Sequence, residues 1–269
     1  MKKMRSLKFL KKDILIFITG LALVSYPVIS NYMESREQAS QIDPYNSSVN
    51  ELSSASKQLV LNEAYQWNNS LYSKQKGLSE DSGLEYENVL DLGNGVIGTV
   101  EIPKIKVNMP VYHGTDSDVL NVGAGHLEDS SLPVGGNNTH TVLTGHRGLP
   151  SSKLFTRLDE LKKGDLFFIK VIDETLAYKI NKIEVVLPDK VSYSIIDNQD
   201  LATLITCTPY GLTPHSLVIT GTRVPYEEKE KKSIKSSIPS LREIIFYVIP
   251  VLFSVAGILF FRKRGVKNV

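Results

Sequence analysis

Two residues have the type and setting to do covalent chemistry: Cys207, the single cysteine among 269 residues, and His146, one of five histidines. Cys207 ends the run Thr203-Leu204-Ile205-Thr206-Cys207 and is followed by Thr208-Pro209-Tyr210-Gly211. The first run is apolar and β-branched, which predicts a strand. The second predicts a turn. The sulfur is thus expected at a strand end beside a loop, where chemistry concentrates. Taken alone, the same position suits a buried cysteine acting as a small hydrophobe. His146 has a matching setting: Thr141-Val142-Leu143-Thr144, then Gly145-His146-Arg147-Gly148-Leu149-Pro150. A thiol and an imidazole on two strand ends can meet in space across about 60 residues of sequence. Such a pair suits acyl transfer, in which a thiolate attacks a carbonyl and the imidazole moves the proton.

His113, His126, His140 and His215 are expected to pack or to hydrogen-bond within the fold. No two histidines stand at the i, i+4 spacing of a helical metal site, and one cysteine excludes an internal disulfide or a cysteine-based zinc site. No metal or organic cofactor is expected. A net charge of +2 implies no polyanionic partner, and so no nucleic acid.

The segments that must position this pair read as follows. Many short strands with few helices predict a mainly β fold, a barrel or a sandwich. Strands are expected at Ile97–Pro103, Met109–Gly114, the histidine run, Asp165–Val171, Thr175–Val186, the cysteine run and His215–Thr222. Leu120–Leu132 reads as a short helix and loop. Ser53–Lys74 has helical character, with Leu52, Leu59, Ala64 and Leu71 as core contacts. The charged run Glu227–Lys235 reads as a solvated tether.

Both chain ends are apolar. Ile14–Ser30 follows six basic residues, and Ile244–Phe261 precedes Arg262, Lys263, Arg264 and Lys267. Each approaches the roughly 17–25 residues that cross a bilayer. No small-x-small cleavage site follows the first, so it is expected to remain as an anchor. Basic clusters outside both spans predict cytoplasmic termini and an extracellular middle. The expected organisation is 1–13 cytoplasmic, 14–30 transmembrane, 31–90 a helical segment, and 91–226 the main β domain that carries the Cys207 and His146 pair. After it come 227–243 as a linker, 244–261 as a second span and 262–269 as a cytoplasmic tail.

The cysteine run reads TLxTC and the histidine run TGH. In these motifs the chain resembles the sortase family, and TLxTCTPYG with TGHRGLP resembles its class C, pilus-assembling members. The resemblance spans roughly Asp43 to Tyr226. It implies an eight-stranded β-barrel and a cysteine transpeptidase, with chemistry akin to that of thiol proteases. Cys207 would cleave a Leu-Pro-x-Thr-Gly-like sorting signal through a thioester, with His146 as acid and base. The acceptor would be a pilin lysine, or a peptidoglycan amine in a cell-wall-anchoring relative. It also implies that Asp43-Pro44-Tyr45 is a lid, with Asp43 and Tyr45 near Cys207 in a closed state. One departure stands out. Class C members carry an arginine nine residues after the cysteine, and Ser216 occupies that place here. Arg223 lies seven residues further on, about 23 Å along a strand and on its other face. Arg147, the Ser216 or Thr206 hydroxyl, or backbone N–H groups are the other candidates for its task. A catalytically weak protein that binds pilins is the alternative this departure raises.

Overall fold

The computed structural model describes residues 2–78, 81–147, 154–208, 214–238 and 241–266. Eight strands form the scaffold: β1 (Val96–Ile102), β2 (Val107–His113), β3 (Ala124–His126), β4 (Thr139–Thr144), β5 (Leu166–Val171), β6 (Glu174–Val186), β7 (Asp200–Thr208) and β8 (His215–Val224). They close into a barrel in the order β1-β2-β3-β4-β7-β8-β6-β5. The β2/β3 and β4/β7 pairs are parallel and the others antiparallel. Alternation sends Leu143, Phe167, Ile169, Ala202, Leu204, Leu217 and Ile219 into one buried cluster.

The expected helix and loop at Leu120–Leu132 needs correction. A short helix, α3, covers Ser117–Val122, and the next residues form β3. Glycine permits this strand: a Cβ at Gly125 would sit 2.3 Å from the Gly114 carbonyl oxygen. No side chain fits there, so β3 can lie between β2 and β4 only with glycine at that point.

The N-terminal side differs more. A single helix, α1, runs Lys2–Glu51 and includes Asp43-Pro44-Tyr45. Residues before a proline favour extended backbone, and a helix-interior proline costs roughly 3 kcal/mol. What offsets this lies far away in sequence. Tyr45 is fully buried in the main core, and its hydroxyl accepts a 2.9 Å hydrogen bond from the Ile172 N–H in the β5–β6 turn. Burial pushes its hydroxyl pKa up to about 12. Nearby, Lys57 pairs with Asp173 at 2.7 Å and Lys170 Nζ donates to Asn46 at 2.9 Å. Tyr45→Phe strands the buried Ile172 N–H. It is expected to cost about 1–2 kcal/mol, read as a lower urea midpoint at unchanged slope.

The second helix, α2 (Ser54–Gln75), starts where expected, with the Ser53 hydroxyl accepting from the Ser56 N–H at 3.1 Å. Ala64 is buried, but Leu59 is 61% exposed and Leu61 takes the core position instead. Asn68 fixes α2 to the barrel by donating to the Leu132 carbonyl at 3.1 Å and accepting from its N–H at 2.7 Å.

Glu227–Lys235 is docked rather than a free tether. It contains α4 (Glu228–Ser233). Tyr226 and Ile234 pack on Leu166, Phe168 and Ala177. Lys231 pairs with Glu101 at 2.6 Å and stands 5.3 Å from the Phe168 ring centre. The Ser237 N–H then donates to the Lys104 carbonyl at 2.7 Å. The segment's charges serve the barrel surface, a role that depends on partners more than 60 residues away.

The chain divides into two compact units, Glu34–Ser237 and a second formed by the two ends of the chain. In the second, α1 meets α5 (Leu241–Val266). Phe17 stacks on Phe253 with ring centres 5.1 Å apart and meets Phe261 edge-on at 5.6 Å. Gly257 and Gly20 make room: a Cβ would fall 2.1 Å from the Phe17 ring and 2.9 Å from the Phe253 ring respectively. Among the described residues, the stretch of α1 from Lys12 is one helix long and apolar enough to cross a membrane.

Candidate active site

β7 carries Cys207 near its end. Ala202 and Leu204 belong to the core, so alternation turns Thr203, Ile205 and Cys207 outward. The thiol is free and exposed. On one side lies β8, where Ser216 is the direct partner of Cys207. Leu217 and Ile219 face the core, so Ser216 shares the outward face with the sulfur. On the other side lies the parallel strand β4. Its register runs to Thr144 opposite Ile205. The Gly145 N–H donates to the Ile205 carbonyl at 3.1 Å, and Thr206 Oγ1 donates to the Gly145 carbonyl at 2.7 Å. Continuing that register brings His146 beside Cys207. The two strand ends identified in sequence are therefore neighbours, and Ser216 flanks the sulfur on the third strand.

The other candidates fall elsewhere. Arg223 lies at the far end of β8, opposite Tyr178. There it pairs with Asp200 at 3.8 Å, and its guanidinium carbon stands 5.7 Å from the Tyr178 ring centre. Asp200 also accepts from the Tyr178 hydroxyl and the Gly136 N–H, each at 2.9 Å. That is the structural arrangement of a strand-end cluster, one barrel length from Cys207. Asp43 and Tyr45 are also not brought to Cys207. Asp43 is exposed on α1, while Tyr45 binds the β5–β6 turn. β6 begins at Glu174 near the rim where β8 ends and β7 begins, opposite the rim that holds the thiol. The lid expectation fails on this geometry, because burying the tyrosine ring against the far rim outweighs the local turn tendency of Asp-Pro.

Arg147 does reach the site's edge. Nη1 donates to Thr208 Oγ1 at 2.7 Å and Nη2 to Asp159 Oδ2 at 2.5 Å. Neither bond had a signal in the sequence, since each depends on a contact across many residues.

His126, His140 and His113 are held inside the fold. His126 is fully buried, its Nε2–H donating to the Ser131 carbonyl and its Nδ1 2.9 Å from the Tyr86 hydroxyl. Burial lowers its pKa to about 4 and also pushes the His113 and His140 imidazoles below their ordinary value. His140 Nδ1–H donates to the Ser194 carbonyl, and its Nε2 lies 2.7 Å from Thr203 Oγ1. It ties the β6–β7 connection to the outward face that also bears Cys207. Among the described residues no group of three His, Cys, Asp or Glu side chains could hold a metal ion.

Comparison with known proteins bears on the family and the fold. The family model described as Sortase domain matches residues 100–224. The chain is 36% identical over 131 residues to Sortase D of Bacillus subtilis, spanning 47% of this chain and 63% of that relative. It is 28% identical to Sortase A of Streptococcus agalactiae over 76% of this chain and 80% of the other. Among solved structures, sortase C1 of Streptococcus agalactiae shares 39% identity at a TM-score of 0.65, covering 69% of this chain and 98% of the other. Sortase C of Streptococcus pneumoniae shares 43% at 0.63, covering 69% and 96%. Clostridium perfringens sortase C, solved with a C-terminal cell wall sorting motif, shares 38% at 0.61, covering 70% and 100%.

Proposed function

We propose, for a chain that belongs to the sortase family, that it is a membrane-anchored cysteine transpeptidase of the class C kind, joining pilin subunits. The observation that carries this reading is the meeting of strand ends: Ser216 on β8 pairs directly with Cys207 on β7, and β4 runs beside β7 to Thr144 opposite Ile205, two residues before His146. Cys207 as thiolate attacks the carbonyl after threonine in a Leu-Pro-x-Thr-Gly-like signal. The carbon–nitrogen bond breaks, His146 protonates the departing amine, and a thioester remains. A lysine amine on a second pilin then attacks the thioester carbon, losing its proton to His146. The carbon–sulfur bond breaks and an isopeptide bond forms. One amide replaces another, so no ATP, metal or organic cofactor takes part.

The chain ends support membrane attachment. Leu15, Ile16 and Leu23 on α1, and Val251, Leu252 and Ile258 on α5, are each more than half exposed. So much apolar surface on two helices suits lipid rather than water. Small residues at the α1–α5 contact suit paired spans. With basic residues outside both, the termini face the cytoplasm and the barrel the exterior.

Ser216 favours a second reading, a sortase-like assembly factor that holds pilins with little turnover. A peptidoglycan amine as acceptor is the alternative within the enzyme reading. Purified protein incubated with a fluorogenic Leu-Pro-x-Thr-Gly peptide and an amine decides among these. The expected product is the peptide amide of the added amine, formed only while the thiol is free. Hydrolysis without amine capture means a peptidase, and binding without turnover means the assembly factor.

A further inference from the structure

The His146–Cys207 step lies beyond the last rung of the β4–β7 ladder. On the β8 side the backbone still holds Cys207, because that pairing continues to Thr208 opposite His215. On the β4 side the work passes to side chains. Thr206 Oγ1 donates to the Gly145 carbonyl at 2.7 Å, one step before the pair. Arg147 Nη1 donates to Thr208 Oγ1 at 2.7 Å, one step after it. The guanidinium's other arm reaches Asp159 in the 3₁₀ turn Leu158–Glu160. The arginine side chain is 4% exposed and the aspartate 52%.

We propose that Arg147 is a positioning residue that closes the open side of the active site. Its fork holds the end of β7 against the end of β4 and so sets the spacing and mutual orientation of His146 and Cys207. The inference rests on reading those two as base and nucleophile. Strand ends splay where the ladder stops, and a displacement of about 1 Å at reacting groups can cost 10²-fold in rate. A planar guanidinium fixes two acceptors at once, which an ammonium on a flexible stem does not. The buried Nε finds no acceptor among the described residues.

Arg147→Gln, Arg147→Lys, Thr208→Val and the Gln/Val double variant test this in the full-length protein. Two readouts are needed: kcat and KM on the sorting-signal peptide, and the pH profile of Cys207 alkylation by iodoacetamide. Each single variant is expected to lower kcat about 30-fold or more, with KM within about twofold. Each is also expected to move the alkylation midpoint by about half a pH unit or more. The double variant should be no worse than Arg147→Gln, because both break one bond. Thr208→Ser, which keeps the hydroxyl, should restore most of both readouts. An unmoved alkylation profile, or losses that add in the double variant, overturns the proposal. If the native protein cleaves no peptide, the functional reading fails, while the alkylation profile still decides the role of Arg147.

Discussion

Ser216→Arg is expected to raise kcat for sorting-signal cleavage about 30- to 100-fold, whereas Cys207→Ala removes turnover completely. Ser216 is the direct cross-strand partner of Cys207, on the same outward face. Side chains so placed have Cβ atoms about 4.5–5.5 Å apart. An arginine there can lay its donors beside the carbonyl that the sulfur attacks. A donor to the developing oxyanion is commonly worth 10²–10³ in kcat, or about 2.7–4 kcal/mol. The serine hydroxyl, shorter and neutral, supplies part of that. The gain should appear in kcat with little change in KM, because the oxyanion exists only beyond the ground state. Ser216 is only 8% exposed, so the longer side chain must leave along the outward face, and some loss in melting temperature is expected. An equal kcat in both proteins would mean that backbone N–H groups already serve the oxyanion. An inert native protein revived by Ser216→Arg would mark the chain as an assembly factor with an otherwise intact site. The same assay with Cys207→Ala separates these outcomes from contaminating peptidase.

The parts of this molecule legible in sequence are those written locally. Alternating β-branched runs gave most strands, and strand-end motifs gave the Cys207 and His146 pair. The Asp-Pro-Tyr segment was misleading because its local tendencies were outvoted. The bond between Tyr45 and Ile172 joins positions 127 apart, and no window around Pro44 contains it. Glu227–Lys235 failed for a related reason. Its composition is that of a solvated run, and only Glu101 and Phe168, brought close by the barrel, reveal where Lys231 is held. β3 was hidden by its glycines, which read as loop yet are what lets a strand fit between β2 and β4. Arg147 and Thr208 were visible as motif letters, but the bond between them and the second partner, Asp159, were not. Long-range contacts decide such cases, and these also fix the site's geometry.

Lowering the pH from 7 to 4 is expected to cost the barrel domain about 3 kcal/mol of unfolding free energy through His126 alone. The imidazole is fully buried and its hydrogen bonds suit the neutral ring. Nε2–H donates to the Ser131 carbonyl, so Nδ1 carries no proton and faces the Tyr86 hydroxyl, which also reaches the His126 backbone carbonyl. Burial brings its pKa from the ordinary 6.5 to about 4, opposed by the Ser131 carbonyl and aided by the nearby His113. Between these values the unfolded chain binds a proton that the folded one refuses. The contribution is therefore complete above about pH 6.5, declines as pH falls towards 4, and is constant below that. The drop from 6.5 to about 4 corresponds to about 3.4 kcal/mol in full, of which about 3 is lost by pH 4. His113 and His140, also lowered by burial, add in the same direction, although Glu87 and Asp91 oppose the shift at His113. Urea titrations of the native protein and His126→Gln at intervals from pH 7.5 to 4 would measure it. The variant should start less stable, because the buried Ser131 carbonyl loses the imidazole donor. Its stability should then fall less steeply with acid, by about half or more of the native decline. Parallel curves would show that His126 keeps its proton affinity on folding and that carboxylates elsewhere set the acid limit. His126 lies on β3, which pairs with β4 at Leu143 and Thr144, two residues before His146.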